Sequence, residues 1–154
     1  RAHTIVPNLT EAAFLLSQPY PGKTYSPAYV SGLAKALLAM GPQNVIITDV
    51  SFDSSQTGIA IIQQGMDEPS FTFTHRYPGT FHGTGDVFAS FLLGALLRDM
   101  TLPDAADMAL SLTHDSIALT LQENQPLRYG VQFERVTSRF LRELECRNRQ
   151  ESCK

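Results

Sequence analysis

Tryptophan is absent from this chain and cysteine nearly so: the 154 residues include two cysteines, Cys146 and Cys153, both near the C-terminus. That usage excludes a disulfide-built scaffold and fits a reducing compartment. Neither cysteine has a second Cys or a His at metal-ligand spacing, which argues against a zinc site. No stretch reaches the roughly 18 consecutive apolar residues of a membrane helix. A charged region followed by an apolar run is also missing from the start, so no secretory signal is visible and the expected location is the cytoplasm. Basic charge is not in excess, with 12 Lys and Arg against 15 acids and a formal net charge of -3. The basic cluster over residues 139–154 is interleaved with Glu and reads as a solvated helix end rather than a nucleic-acid surface. A start methionine is lacking too: Arg1-Ala2-His3 runs straight into a strand-like segment, as expected of a fragment or processed chain. Repeats and low-complexity segments are absent, so residues 1–154 are expected to form part of one domain.

What is present is an alternation of helical and strand periodicities. Residues 4–6 favour a strand, stopped by Pro7, which cannot donate to a ladder. Asn8-Leu9-Thr10-Glu11 then opens a short helix, capped by Asn8 or Thr10. Residues 18–24 form a Pro- and Gly-bearing loop, and residues 27–40 carry apolar positions at helical spacing with Pro27 in the first turn. The run 45–47 is continuously apolar, as in a strand covered on both faces, with Thr48 and Asp49 at its end. Residues 58–64 and 71–77 read as two more strands, paired antiparallel through the loop 65–70. Three helices follow, from about residue 84, from Thr101 to about Gln122 with His114 upon it, and over the 130s and 140s. The order β, α, α, β, β, β, α, α, α predicts an α/β protein with three layers.

The densest chemistry lies in Phe81-His82-Gly83-Thr84-Gly85-Asp86-Val87-Phe88. Two glycines around a threonine, followed by Asp86 and an apolar run, describe a tight turn entering a helix. Glycine permits positive φ and close approach of a ligand to the backbone. The first turn of the helix carries unpaired N–H groups and the positive end of the dipole, an anion site. The same dipole stabilises the carboxylate of Asp86. A carboxylate beside a phosphate cradle matches a base acting on a hydroxyl that attacks phosphorus. The plainer account makes Thr84 an N-cap and Asp86 a dipole partner. Likewise Asn8 and Glu11, three apart, are either a capping box or a pair at the C-terminal edge of a strand that holds hydrated magnesium. Gly-x-x-x-x-Gly-Lys-Ser/Thr is missing, which excludes a P-loop. The position three after Gly85 is Phe88, so the dinucleotide fingerprint fails as well.

Together with the opening Val6-Pro7-Asn8-Leu9-Thr10-Glu11-Ala12 and the later Tyr129-Gly130-Val131-Gln132-Phe133-Glu134, this run resembles the C-terminal half of a bacterial pyridoxal (pyridoxine/pyridoxamine) kinase of the ribokinase-like superfamily. The resemblance covers essentially the whole chain. His82 and the Tyr-Gly-Val-x-Phe-Glu segment narrow it to the vitamin B6 branch. Hydroxymethylpyrimidine kinases are similar too, but typically carry a cysteine where Asp86 stands. The resemblance implies a three-layer αβα fold present only as its C-terminal half, and phosphorylation of the 5′-hydroxyl of pyridoxal, pyridoxine or pyridoxamine by ATP. Asp86 becomes the base, and the N–H groups of Gly83, Thr84 and Gly85 the anion hole. Thr48 contacts ATP phosphates, Phe81 lies near the nucleotide, and Asn8 and Glu11 hold Mg2+ through water. A missing N-terminal half would supply the vitamin pocket, the isolated piece would be inactive, and the intact enzyme would be a homodimer whose monovalent-cation requirement stays open. Asp49 departs from the family's frequent serine and would repel phosphate. Two other classes remain: a non-catalytic nucleotide-binding module and a structural or dimerisation piece.

Overall fold

The computed structural model describes residues 2–20, 22, 24–123 and 130–151, with side chains described as far as residue 146. Tyr129, the rest of the loop 124–129 and Cys153 lie outside the described residues. The elements follow the expected order: β1 (Thr4–Ile5), α1 (Leu9–Leu15), α2 (Pro27–Ala39), β2 (Asn44–Val50), β3 (Gln56–Gln63), β4 (Ser70–His75), α3 (Thr84–Leu96), α4 (Leu102–Gln122) and α5 (Phe133–Glu151). They divide into two compact units, residues 1–76 and 77–154.

The first unit is a four-stranded sheet in the order β1-β2-β3-β4. β1 runs parallel to β2, with Thr4 opposite Asn44 and Ile5 opposite Val45, while β2, β3 and β4 form an antiparallel meander. The parallel pair requires a crossover, and α1 and α2 supply it. α2 starts where Ser26 accepts the N–H of Tyr29 and Pro27 occupies the first turn, and it ends at Met40. Its buried face, Val30, Leu33, Ala34 and Leu37, packs with Leu9 and Ala12 of α1 on Val45, Ile47, Ala60 and Ile62. Each fully buried Leu or Ile contributes about 1.5–3 kcal/mol. The alternate residues Ile46, Ile59 and Ile61 are buried too, which explains the unbroken apolar run in β2. Phe71 and Phe73 of β4 lean onto the same core with their rings stacked 6.3 Å apart. Phe52, from the loop between β2 and β3, meets both rings edge-on at 5.5 Å. Gly58 is required by the sheet: a Cβ there would meet the carbonyl oxygen of Thr72 at 2.0 Å.

The second unit is helical. Phe88, Phe91, Leu92 and Ala95 form the buried face of α3, which packs along α4. Phe91 meets Phe140 of α5 at 5.0 Å, and the missing side chain of Gly94 makes room for that ring. Thr101 caps α4 by accepting the N–H of Asp104. The buried hydroxyls of Thr113, Ser116 and Thr120 donate to carbonyls four residues back, at 2.7, 2.8 and 2.7 Å, so α4 buries them without an unpaired group. Thr120 Oγ1 also accepts the N–H of Gln132 at 2.8 Å, which ties the start of α5 to α4. Among the described residues no helix is long and apolar enough to cross a membrane.

Candidate functional site

Gly83, not Thr84, is the N-cap of α3. It sits in the left-handed region at φ 79°, ψ 0°, which a residue without a Cβ adopts at little cost. A glycine cap has no side chain to offer, and no side chain caps this end. The hydroxyl of Thr84 donates instead to the carbonyl of Phe81 at 3.3 Å, which folds residues 81–84 into a turn. The first intrahelical bond runs from Val87 N–H to the Gly83 carbonyl at 3.0 Å. The N–H groups of Thr84, Gly85 and Asp86 therefore precede any intrahelical acceptor, as at every helix start. α1, α2 and α4 cap theirs with Asn8, Ser26 and Thr101, whereas α3 does not.

Gly85 is helical and not in the positive-φ region that the sequence allowed for it. A Cβ at Gly83 or at Gly85 would meet open space. Neighbouring atoms thus do not demand glycine at position 85, although glycine costs about 1 kcal/mol in a helix relative to alanine. Asp86 stands in the first turn, exposed, where the N-terminal dipole favours a carboxylate. Its carbonyl accepts the hydroxyl of Ser90 at 2.7 Å, and its side chain is left for solvent or ligand. Phe81 is half-buried and His82 exposed. The structure therefore assembles Phe81, Gly83, Thr84, Gly85 and Asp86 around one helix start. Gly130, at φ 84°, comes up beside it, the place of its absent Cβ lying 3.7 Å from the His82 carbonyl.

The other predicted residues gather at the C-terminal ends of β1 and β2. A parallel bridge sets Asn8 opposite Thr48, and Thr48 N–H bonds the Pro7 carbonyl at 2.9 Å. Carboxyl ends of adjacent strands are where open α/β sheets bind ligands. Asn8 and Glu11 form a full capping box: the Glu11 N–H donates to Asn8 Oδ1 and the Asn8 N–H to Glu11 Oε2, both at 2.9 Å. The structural alternative for this pair is thus realised, and Asn8 rather than Thr10 is the cap. It does not exhaust the pair, since each acceptor oxygen has a second lone pair and Glu11 a second oxygen. One carboxylate and one amide are a donor set that fits magnesium held largely by water and phosphate oxygens. Among the described residues no group of three or more His, Cys, Asp or Glu side chains is placed to hold an ion directly.

Asp49 was not foreseen in its conformation. It is the extra residue of a bulge between the pairs Thr48–Ile59 and Val50–Gly58, at φ 58°, exposed. Positive φ is uncommon outside glycine, although Asp tolerates it better than most. Bulges turn a strand and re-aim a side chain, and they recur beside functional sites. Sequence offered only a weak signal, an Asp at the end of an apolar strand. His114 is half-buried on α4, its ring 4.8 Å from that of Tyr77 and tilted by 30°, so it is a packed residue. Beside it Arg139 pairs with Asp115 and Glu143, and bonding to Glu143 raises the guanidinium pKa above its usual value.

Known proteins resemble this chain over most of its length. The phosphomethylpyrimidine kinase family profile matches residues 1–130. A hydroxymethylpyrimidine/phosphomethylpyrimidine kinase from Mycobacterium tuberculosis is 32% identical over 106 residues, covering 69% of this chain and 37% of that one. The crystal structure of pyridoxal kinase from Lactobacillus plantarum superposes with a TM-score of 0.81 at 30% identity, over 94% of this chain and 51% of that one. A candidate phosphomethylpyrimidine kinase from Bacteroides thetaiotaomicron, crystallised with pyridoxal, gives 0.83 at 29% identity, over 90% of this chain and 49% of that one. These likenesses bear out the ribokinase-like α/β fold. The chain spans about a third of the curated relatives it matches and about half of the solved structures.

Proposed function

This chain belongs to the phosphomethylpyrimidine kinase family, and on that premise we propose that the protein transfers the γ-phosphoryl group of ATP to the 5′-hydroxyl of pyridoxal, pyridoxine or pyridoxamine. The observation that carries the reading is the uncapped start of α3, with Gly83 in the left-handed region, open space at Gly85 and the exposed carboxylate of Asp86 in the same turn. In this reading the hydroxyl oxygen of the vitamin attacks the γ-phosphorus. The bond from that phosphorus to the β,γ-bridging oxygen breaks, the hydroxyl proton passes to Asp86, and ADP leaves. The transition state is loose, so positioning and charge stabilisation dominate and a modest base suffices. The N–H groups of Gly83, Thr84 and Gly85 face the oxygens of the transferring group, each donor contributing on the order of 3 kcal/mol by analogy with other oxyanion holes. Thr48 contacts the ATP phosphates and Phe81 borders the nucleotide. Asn8 and Glu11 orient the water around a magnesium ion, which when bound neutralises charge on the phosphates. The vitamin pocket itself is assigned to sequence beyond these 154 residues, in keeping with the length of the relatives.

A second reading, phosphorylation of hydroxymethylpyrimidine, is favoured by the family profile and the mycobacterial relative. Asp86, where those kinases resemble one another in carrying cysteine, favours the B6 vitamers. The test is an ATP-dependent assay of the full-length protein on pyridoxal and on hydroxymethylpyrimidine. Pyridoxal is expected to give the higher kcat/KM. Asp86→Asn is expected to lower kcat by about 10²-fold or more while ATP binding survives. An unchanged kcat removes Asp86 as the base, and preference for the pyrimidine selects the second reading.

A further inference from the structure

Tyr25 lies just before the cap of α2, remote in sequence from the candidate site residues, yet its hydroxyl ends at the bulge of β2. It accepts the N–H of Ser51 at 2.8 Å and reaches the carbonyl of Asp49 at 3.5 Å. Those two backbone groups flank Val50, so one side-chain oxygen links the residues on either side of it. A bulge withdraws its extra residue from the ladder and leaves backbone groups without strand partners; here Tyr25 takes up two of them. Its ring is fixed in turn, edge-on to Phe52 at 6.0 Å and tilted against Tyr29 at 6.3 Å. Beyond the bulge the chain is held as well, the Asp53 carboxylate accepting the N–H groups of Ser55 at 2.7 Å and Gln56 at 3.1 Å. Burial raises the Tyr25 hydroxyl pKa above its ordinary value, against the lowering effect of the Ser51 amide, so the hydroxyl keeps the proton that it donates.

The conformation so held is an unusual one. Asp49 at φ 58° is a non-glycine residue in the left-handed region, and such residues persist where the surroundings over-determine them. The residue before it is Thr48, fixed on its other side by the Pro7 carbonyl and opposite Asn8. Without the bulge Asp49 would take the next place in the ladder, and its carboxylate would be committed to one face of the sheet.

We propose that Tyr25 is a positioning residue for the nucleotide site: by fastening the β2 bulge at Asp49 it holds Thr48 in the orientation in which the phosphates of ATP are received. The inference rests on the kinase reading above but concerns a residue which that reading does not use.

Tyr25→Phe in the full-length protein keeps the ring and removes the hydroxyl. KM for MgATP is expected to rise about three- to tenfold, the range for one lost hydrogen bond, with kcat within about twofold and little change in Tm. Asn adopts positive φ readily, so in an Asp49→Asn background the same substitution is expected to change KM by less than about twofold. Three results would overturn the proposal: an unchanged KM, an equal rise in both backgrounds, or a fall in kcat that tracks a fall in Tm. Asp86→Asn in the same assay separates this outcome from the kinase reading, since it tests the base and not the bulge. If the wild-type protein transfers no phosphoryl group, that reading fails, and Tyr25 is judged by calorimetric affinity for MgATP, expected to weaken by the same factor. Absence of MgATP binding by the wild-type protein overturns both.

Discussion

Asn8 and Glu11 hold each other's backbone: each side chain accepts the other residue's N–H at 2.9 Å across the first turn of α1. The pair therefore has a structural role whether or not it serves a metal, and two substitutions separate the roles. Asn8→Ala removes the cap and is expected to cost about 1 kcal/mol in chemical denaturation. Glu11→Gln keeps an oxygen for the Asn8 N–H, so stability should move by no more than about 0.5 kcal/mol. If the carboxylate orients magnesium-bound water, Glu11→Gln also raises the magnesium concentration needed for half-maximal activity several-fold. A protein with unaltered magnesium dependence would reduce the pair to a helix cap.

Gly83 and Gly85 are expected to respond oppositely to alanine. At position 83 the backbone lies at φ 79°, so Ala pays the left-handed penalty of roughly 1–2 kcal/mol although space is open. At position 85 the backbone is helical and the Cβ site empty, so Ala stabilises by up to about 1 kcal/mol. In the proposed kinase reading, the same methyl group narrows the space in which the phosphoryl group approaches the amides. Gly85→Ala is thus expected to raise Tm while lowering kcat/KM, and a stabilised variant with full activity would show that no ligand uses that space.

Gly58 offers a test of the sheet alone. Its absent Cβ would lie 2.0 Å from the Thr72 carbonyl oxygen and 2.8 Å from the Phe73 ring. The first clash is with backbone, which cannot swing aside, so Gly58→Ala is expected to destabilise by about 3 kcal/mol. Urea denaturation reads it directly, and a loss under about 1 kcal/mol would show that β3 and β4 can separate.

The elements were legible because their signals are local. Pro27 after Ser26, Pro103 after Leu102 and the apolar run at Val45 each act within one turn or one strand, and the structure places helices and strand there. The candidate residues were legible for the same reason, since Asn8 with Glu11 and Gly83 to Asp86 are contiguous. What escaped depends on partners distant in the chain. The left-handed Asp49 follows from a mismatch between β2 and β3 and from Tyr25, 24 residues earlier. The plainer account, with Thr84 as the cap of α3, does not hold because that hydroxyl can serve either the helix or the preceding turn, and the Phe81 carbonyl takes it.

The mixed sheet also carries a consequence for the order in which the chain folds. β2, β3 and β4 meet through short connections, whereas Thr4 and Asn44 are 40 residues apart. Closing the longer loop costs roughly 2 kcal/mol more chain entropy than closing a hairpin. The meander can therefore nucleate first, and β1 docks once α1 and α2 have formed. Asn8, which follows β1, then reaches Thr48 of β2 late, and the edge that gathers the candidate metal ligands is also the first to open. Amide exchange should register this as faster exchange of the Thr48 N–H, bonded to Pro7, than of the amides between β2 and β3.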